Sequence, residues 1–227
     1  MQIIASTGVK GGVGKSTFAI LLAFKMFREK KKVILCDCDV ECPNDYLILK
    51  QRLKNPKPIY QEFPVLNENK CKKCCLCSEV CREHAIFCIK GNHPKFVLDL
   101  CTSCGACWIS CPNNAIEKKK EIAGEFFVNK IKNNFWLVTG KSKAGISETG
   151  PVVREVKERA IKLAKRIDAD YLIIDTSPGA HCNVIQALLN SDKVYAVTEP
   201  TPLGAYDLGV MLELTKKLNL PTEIVLN

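Results

Sequence analysis

Two sets of residues in this 227-residue chain have the types and spacing to do chemistry. The first is Gly8-Val9-Lys10-Gly11-Gly12-Val13-Gly14-Lys15-Ser16-Thr17, which follows the apolar run Ile3-Ile4-Ala5 and precedes Phe18-Ala19-Ile20-Leu21-Leu22-Ala23. It therefore falls where a strand ends and a helix begins. Glycines let a backbone turn tightly and aim successive N–H groups into one concavity, and the helix N-terminus adds unpaired amides and its positive dipole end. That combination suits phosphate. Lys15 would lie against the outer phosphates, and the Ser16 hydroxyl would bind the magnesium ion that accompanies them.

The second set is Cys71, Cys74, Cys77 and Cys81, which recur with Ala85-Ile86 as Cys101, Cys104, Cys107, Cys111 and Ala115-Ile116. Every pair has the same offset, so this is a duplicated unit. In the spacing C-x2-C-x2-C-x3-C, three thiolates can wrap one iron–sulfur cube while the fourth, carried onto the next turn, reaches another. The competing reading is a pair of zinc sites built from C-x2-C pairs, but zinc takes four ligands per site and needs no doubled four-cysteine run.

The elements that must position these groups alternate between strand and helix. Ser16 to about Lys30 reads as a helix ending in lysines that suit its negative dipole end, and Val33-Ile34-Leu35-Cys36 as a short buried strand delivering Asp37 and Asp39. Prolines 56, 58 and 64 make 50–64 a connector into an insert. After Lys118-Lys119-Lys120 the rhythm returns: an edge strand over 121–130, a strand Phe135–Thr139, a polar loop over 140–150 and a helix Pro151–Ile167. Tyr171-Leu172-Ile173-Ile174-Asp175 is an apolar strand ending in an acid. Val194–Thr198, a helix over 204–218 and Glu223–Asn227 complete the pattern.

The stretch KGGVGKST resembles the deviant Walker A motif of the MinD/ParA/Mrp ATPases, the group that includes the nitrogenase iron protein. Val9 stands where the strict P-loop has glycine. The resemblance implies an ATP- and magnesium-binding loop over Gly11, Gly12, Val13, Gly14, Lys15, Ser16 and Thr17, with Lys15 acting in cis. It implies that Lys10 reaches across an ATP-dependent homodimer to the partner's nucleotide, and that Asp39 in switch I places the attacking water. Asp175 then corresponds to the Walker B acid, Gly179 to the switch II glycine in a Thr176-Ser177-Pro178-Gly179 variant of that loop, and Asn227 to an asparagine near the adenine. The insert resembles bacterial-type two-cluster ferredoxins. By that resemblance Cys71, Cys74, Cys77 and Cys111 hold one 4Fe-4S cluster, and Cys101, Cys104, Cys107 and Cys81 the other. Pro112 follows Cys111 as that pattern expects, whereas Arg82 replaces proline after Cys81.

The expected architecture is α/β: a doubly wound, mostly parallel P-loop sheet interrupted by a small ferredoxin-like α+β insert. The ATPase domain occupies 1–57 and 121–227, and the insert 58–120. Cys36 is read as core, while Cys38 and Cys42, which could line a site near the nucleotide, are left without an assigned role. Cys75 and Cys88 are read as packing residues, and His181 and Cys182 stay unassigned. The abrupt stop at Asn227 suggests a chain truncated at its C-terminus. A formal charge of +9 falls to roughly +5 if eight cysteines hold two clusters of about −2 each, so the lysine runs read as solvated surface rather than a specific nucleic-acid site. No apolar stretch spans a bilayer, and the cysteine-rich chain reads as cytoplasmic. The function expected is ATP hydrolysis coupled to electron delivery, or to cluster assembly, on a redox or cluster-acceptor protein. The alternative is a ParA/MinD-like positioning ATPase with a redox-sensing module.

Overall fold

The structure is a computed structural model describing residues 1–146 and 148–227. Its elements run β1 (Gln2–Thr7), α1 (Lys15–Arg28), β2 (Val33–Asp37), α2 (Asp45–Ile48), β3 (Lys57–Leu66), α3 (Leu76–Glu79), β4 (Ile86–Phe87) and β5 (Lys95–Phe96). After a short 3-10 turn at Leu98–Leu100 come α4 (Ala106–Ile109), β6 (Ile116–Lys132), β7 (Phe135–Ser142), α5 (Gly150–Ile167) and β8 (Tyr171–Asp175). The chain ends with α6 (Cys182–Leu188), β9 (Lys193–Thr198), α7 (Pro202–Lys217) and β10 (Thr222–Leu226). Two compact units result. The first comprises Met1–Ile59, Gly124–Ser142 and Thr149–Asn227; the second comprises Tyr60–Ala123 and Lys143–Glu148.

Eight strands form one sheet in the order β10-β9-β1-β8-β2-β7-β6-β3. Neighbours from β10 through β7 are parallel, and β6 returns antiparallel to β7. The parallel strands need cover on both faces, and their nearly unbroken apolar sequences are what that demands. Successive strand residues face opposite ways. Val33, Leu35, Phe135, Leu137 and Ile173 pack with Ala19, Ile20 and Ala23 of α1. Ile34, Cys36, Leu172 and Ile174, one residue out of step, are equally buried. On α5, Val152, Val153, Val156 and Ala160 are fully buried, and Val156 lies so close to Gly140 of β7 that a β-carbon there would come within 2.6 Å of it.

Two expectations change. Residues 57–66 form β3 despite Pro58 and Pro64, because β3 ends the sheet order and an edge strand can lack ladder N–H groups. The strand expected at 121–130 is longer, Ile116–Lys132, and lies between β7 and β3 rather than at the edge.

One buried cation belongs to this core. Lys157 on α5 is 5% exposed, and its ammonium donates to the Ala187 carbonyl at 2.6 Å and to the Leu189 carbonyl, closing the C-terminal end of α6. Burial depresses it to about 8, against the opposite pull of Cys38 and Cys36. Lys157→Met is expected to lower stability by about 1–3 kcal/mol by leaving those carbonyls unpaired, as chemical denaturation would measure. The unfolded chain binds the extra proton between about 8 and the ordinary 10.5, so wild-type stability gains there. The gap between the two proteins should widen as pH rises through that window.

Candidate functional sites

In the first unit the C-terminal ends of the parallel strands bring the loop and the acids together. Ser6 donates its hydroxyl to the Lys15 carbonyl at 2.9 Å, tying the end of β1 to the start of α1. Gly14 begins the helix at φ 100, a left-handed conformation that suits glycine, and a β-carbon there would meet Asn227 Nδ2 at 2.7 Å. Asn227, just past β10, donates that same amide to the Val13 carbonyl at 3.1 Å. Gly11, Gly12, Gly14, Lys15, Ser16 and Thr17 line one open pocket with Asp39, Asn44, Ile48, Thr176 and Pro178. Gly179 sits at φ 105 and donates its N–H to the Gly8 carbonyl at 3.4 Å, so the loop after β8 lies against the glycine-rich turn.

The two lysines behave differently. Lys15 is buried and donates to the Lys10 carbonyl at 2.8 Å; burial lowers its pKa, while Asp175 and then Asp39 pull it back up. Lys10 is half-exposed and pairs with Glu199 at 2.5 Å. Glu199 also accepts from Thr201 at 3.2 Å, and its pKa is held down chiefly by the Lys10 contact.

Asp39 is half-buried, accepts from the Cys42 N–H at 3.3 Å and donates its own N–H to Asp37 at 3.1 Å. Burial raises its pKa. Asp37 also accepts the N–H groups of Asn44 and Asp45, each at 3.1 Å. The β2–β8 register sets Asp37 beside Asp175. Asp45 completes a buried trio, in which one carboxylate oxygen from each residue lies within 4.8 Å of the other two. Burial pushes Asp175 up to about 7, opposed by the Ser16 hydroxyl and then Lys15, and it raises Asp37 and Asp45 well above the carboxylate range. Both Asp45 oxygens are buried without a hydrogen-bond partner.

Such a group is stable only with protons or a cation among its members. Asp45 escaped the sequence reading because an acid opening a helix after Asn44 looks like a capping signal. Asp45→Asn is expected to raise the magnesium-free protein's melting point by about 2–6 °C at pH 7.5, a gain of about 1–2 kcal/mol, and to weaken magnesium-dependent stabilisation in a thermal shift assay. Cys38 is fully buried with its sulfur 3.6 Å from that of Cys36 and does not line the loop pocket, whereas Cys42 is exposed. His181 precedes α6 with its ring beneath Gly179, and Cys182 is exposed.

In the second unit the duplication is visible atom by atom. α3 and α4 start at left-handed residues, Cys75 (φ 65) and Gly105 (φ 87). The N–H groups of Lys73 and Ser103 point at Cys71 and Cys101, each at 3.4 Å. Those of Ala85 and Ala115 point at Cys81 and Cys111, each at 3.3 Å. One apolar cavity is lined by Cys71, Cys74, Cys77 and Cys111, the other by Cys101, Cys104, Cys107 and Cys81. Each draws three cysteines from one motif and the fourth from the other. Burial pushes the Cys107 thiol up to about 11 and raises Cys77 and Cys101. These sulfurs would need a metal to hold them as thiolates.

Cys75 and Cys88 are not simple packing residues: their sulfurs are bonded at 2.13 Å. Among the described residues, no helix is long and apolar enough to cross a membrane.

Residues 4–224 match the CobQ/CobB/MinD/ParA nucleotide binding domain. An uncharacterized protein of Methanocaldococcus jannaschii is 41% identical over all of this chain and 80% of its own length. Pyruvate synthase subunit PorD of the same organism is 37% identical over 70 residues, 30% of this chain and 81% of PorD. The cell division ATPase MinD of Pyrococcus furiosus superposes with a TM-score of 0.56 at 19% identity, covering all of this chain and 71% of MinD. The last likeness concerns the fold: a MinD-like, mostly parallel α/β sheet.

Proposed function

The chain belongs to the CobQ/CobB/MinD/ParA nucleotide-binding family, and from that premise we propose that it is a magnesium-dependent ATPase that delivers electrons through two 4Fe-4S clusters to a partner protein. The observation carrying this reading is that one chain folds both a phosphate-type loop and two cavities with crossed four-cysteine linings. The partial likeness to PorD supports an iron–sulfur module of the ferredoxin kind, and the family match supports nucleotide binding. The donor sets fit the clusters: four converging sulfurs, an apolar wall and backbone N–H groups aimed at sulfur. Such clusters supply one-electron transfer.

Phosphoryl transfer to water needs positioning and charge neutralisation more than covalent chemistry. Lys15 sits within its own loop to meet the phosphates of a nucleotide bound in cis. Ser16 and Asp175 would hold magnesium, with Asp37 and Asp45 beside Asp175 in the buried trio. Asp39 is the carboxylate that lines the pocket and would orient the attacking water. Lys10 leaves Glu199 and turns to the nucleotide of a second copy when two chains close on ATP.

Coupling is tested anaerobically on the full chain. Reduced clusters are followed by EPR, and their oxidation by an acceptor is timed with and without Mg-ATP. A nucleotide-dependent rate that is absent in Lys10→Ala is the expected result. Cluster signals and oxidation rates indifferent to ATP, ADP and their absence would overturn the coupling.

A further inference from the structure

Cys75 and Cys88 stand outside the cluster spacing yet are joined, 13 residues apart, within the second unit. Their settings differ. Cys75 is 7% exposed and lines the same cavity as Cys71, Cys74, Cys77 and Cys111. Cys88 is half-exposed and lies between Phe87 and Ile89, which are 63% and 75% exposed. One sulfur thus adjoins the proposed first cluster and the other faces the surface beside two unpartnered apolar side chains. The duplication sharpens the point, because the residue equivalent to Cys75 is Gly105 and both hold the left-handed conformation at a helix start. A cysteine occupies a place that glycine fills more easily.

We propose that Cys75 and Cys88 are a redox-active dithiol–disulfide pair, fed by the clusters, that reduces a disulfide on a partner protein. This rests on the electron-delivery reading above and names its substrate class. In the reduced pair the Cys88 thiolate attacks one sulfur of the partner's disulfide and expels its first thiolate. Cys75 then attacks the Cys88 sulfur, expels the partner's second thiolate and closes the Cys75–Cys88 bond, and the two thiol protons end on the partner's two thiols. Two electrons, one through each cluster, and two protons from water reopen the bond. The clusters are recharged by a low-potential one-electron donor such as a reduced ferredoxin-type protein. The electron count matches, since two one-electron centres serve one two-electron bond. Phe87 and Ile89 give the partner an apolar landing surface around the attacking sulfur.

The test uses the anaerobically reconstituted full chain and photoreduced methyl viologen as donor. Electrons accepted per chain are counted, and Cys75 and Cys88 are followed by alkylation and peptide mass spectrometry. The oxidised wild type should show the linked peptides and take up about four electrons; Cys88→Ser, with the same iron content, should take up about two. After reduction, both residues should be alkylated. Cys75→Gly, which installs the residue of the equivalent position, provides a second variant expected to fold and also to accept about two. The inference is overturned if wild type accepts only about two electrons, if both thiols are free in the oxidised protein, or if the pair stays linked once the clusters are reduced. Should the pair stay linked while the clusters still pass electrons to an acceptor dye, electron delivery survives and this inference alone fails. A chain that retains no iron defeats both.

Discussion

Lys10→Ala is expected to reduce ATP hydrolysis about 1,000-fold while leaving nucleotide binding by the single chain nearly intact. A cation supplied in trans to a transferring phosphoryl group is worth about 10³–10⁵ in rate, because it meets charge that develops only in the transition state. That is the use proposed for Lys10. It is half-exposed, it leaves the phosphate side of its own loop to Lys15, and its partner Glu199 is a surface carboxylate rather than a buried one. An exposed pair of this kind is screened by solvent and contributes little, so it is readily exchanged for a nucleotide phosphate. Glu199→Gln should therefore change turnover by no more than about 5-fold. Steady-state hydrolysis and sedimentation with a slowly hydrolysed ATP analogue make the comparison. Hydrolysis by Lys10→Ala within a few-fold of wild type would remove the lysine from the mechanism.

The second large effect concerns the crossed cysteine sets. Cys111→Ala should cost the cavity lined by Cys71, Cys74 and Cys77 its cluster, and Cys81→Ala should cost the cavity lined by Cys101, Cys104 and Cys107 its own. Each variant is expected to fall from about eight irons per chain to about four, with the remaining EPR signal differing between the two. If the ligands were sorted motif by motif instead, Cys111→Ala would damage the site of Cys101, Cys104 and Cys107, and the residual signals would be exchanged. Zinc in place of iron after anaerobic purification would overturn the cluster assignment altogether. Each variant loses a sulfur that accepts a backbone N–H, from Ala115 or from Ala85, so a modest loss of stability accompanies the loss of metal.

Much of this protein is legible along the chain because its chemistry is carried by contiguous residues. The glycine-rich loop needs only the strand before it, the helix after it and a backbone that can turn left-handed at Gly14. The repeat needs only equal spacing, and the paired N–H to sulfur contacts follow from the same local backbone in both halves. The apolar strands that end in Asp37 and Asp175 announce a parallel sheet with acids at one edge.

What the tertiary structure decided is whatever depends on residues far apart in sequence. No local pattern could reveal that Asp45 lies against Asp37 and Asp175, since that follows from the pairing of β2 with β8 and the return of α2 over the strand ends. The same holds for Lys10 meeting Glu199, 189 positions away, and for Lys157 closing α6. It holds too for β3, whose prolines read as a break until the sheet order puts the strand at an edge where missing N–H groups cost little. Cys75 and Cys88 show the division most sharply. Spacing could say only that they lie off the cluster pattern, whereas folding places one beside the ligand cavity and the other at the surface. Motifs are written in local backbone geometry, but the pairing of buried charges and thiols is settled by packing, where the energetic cost of an unpartnered group is borne.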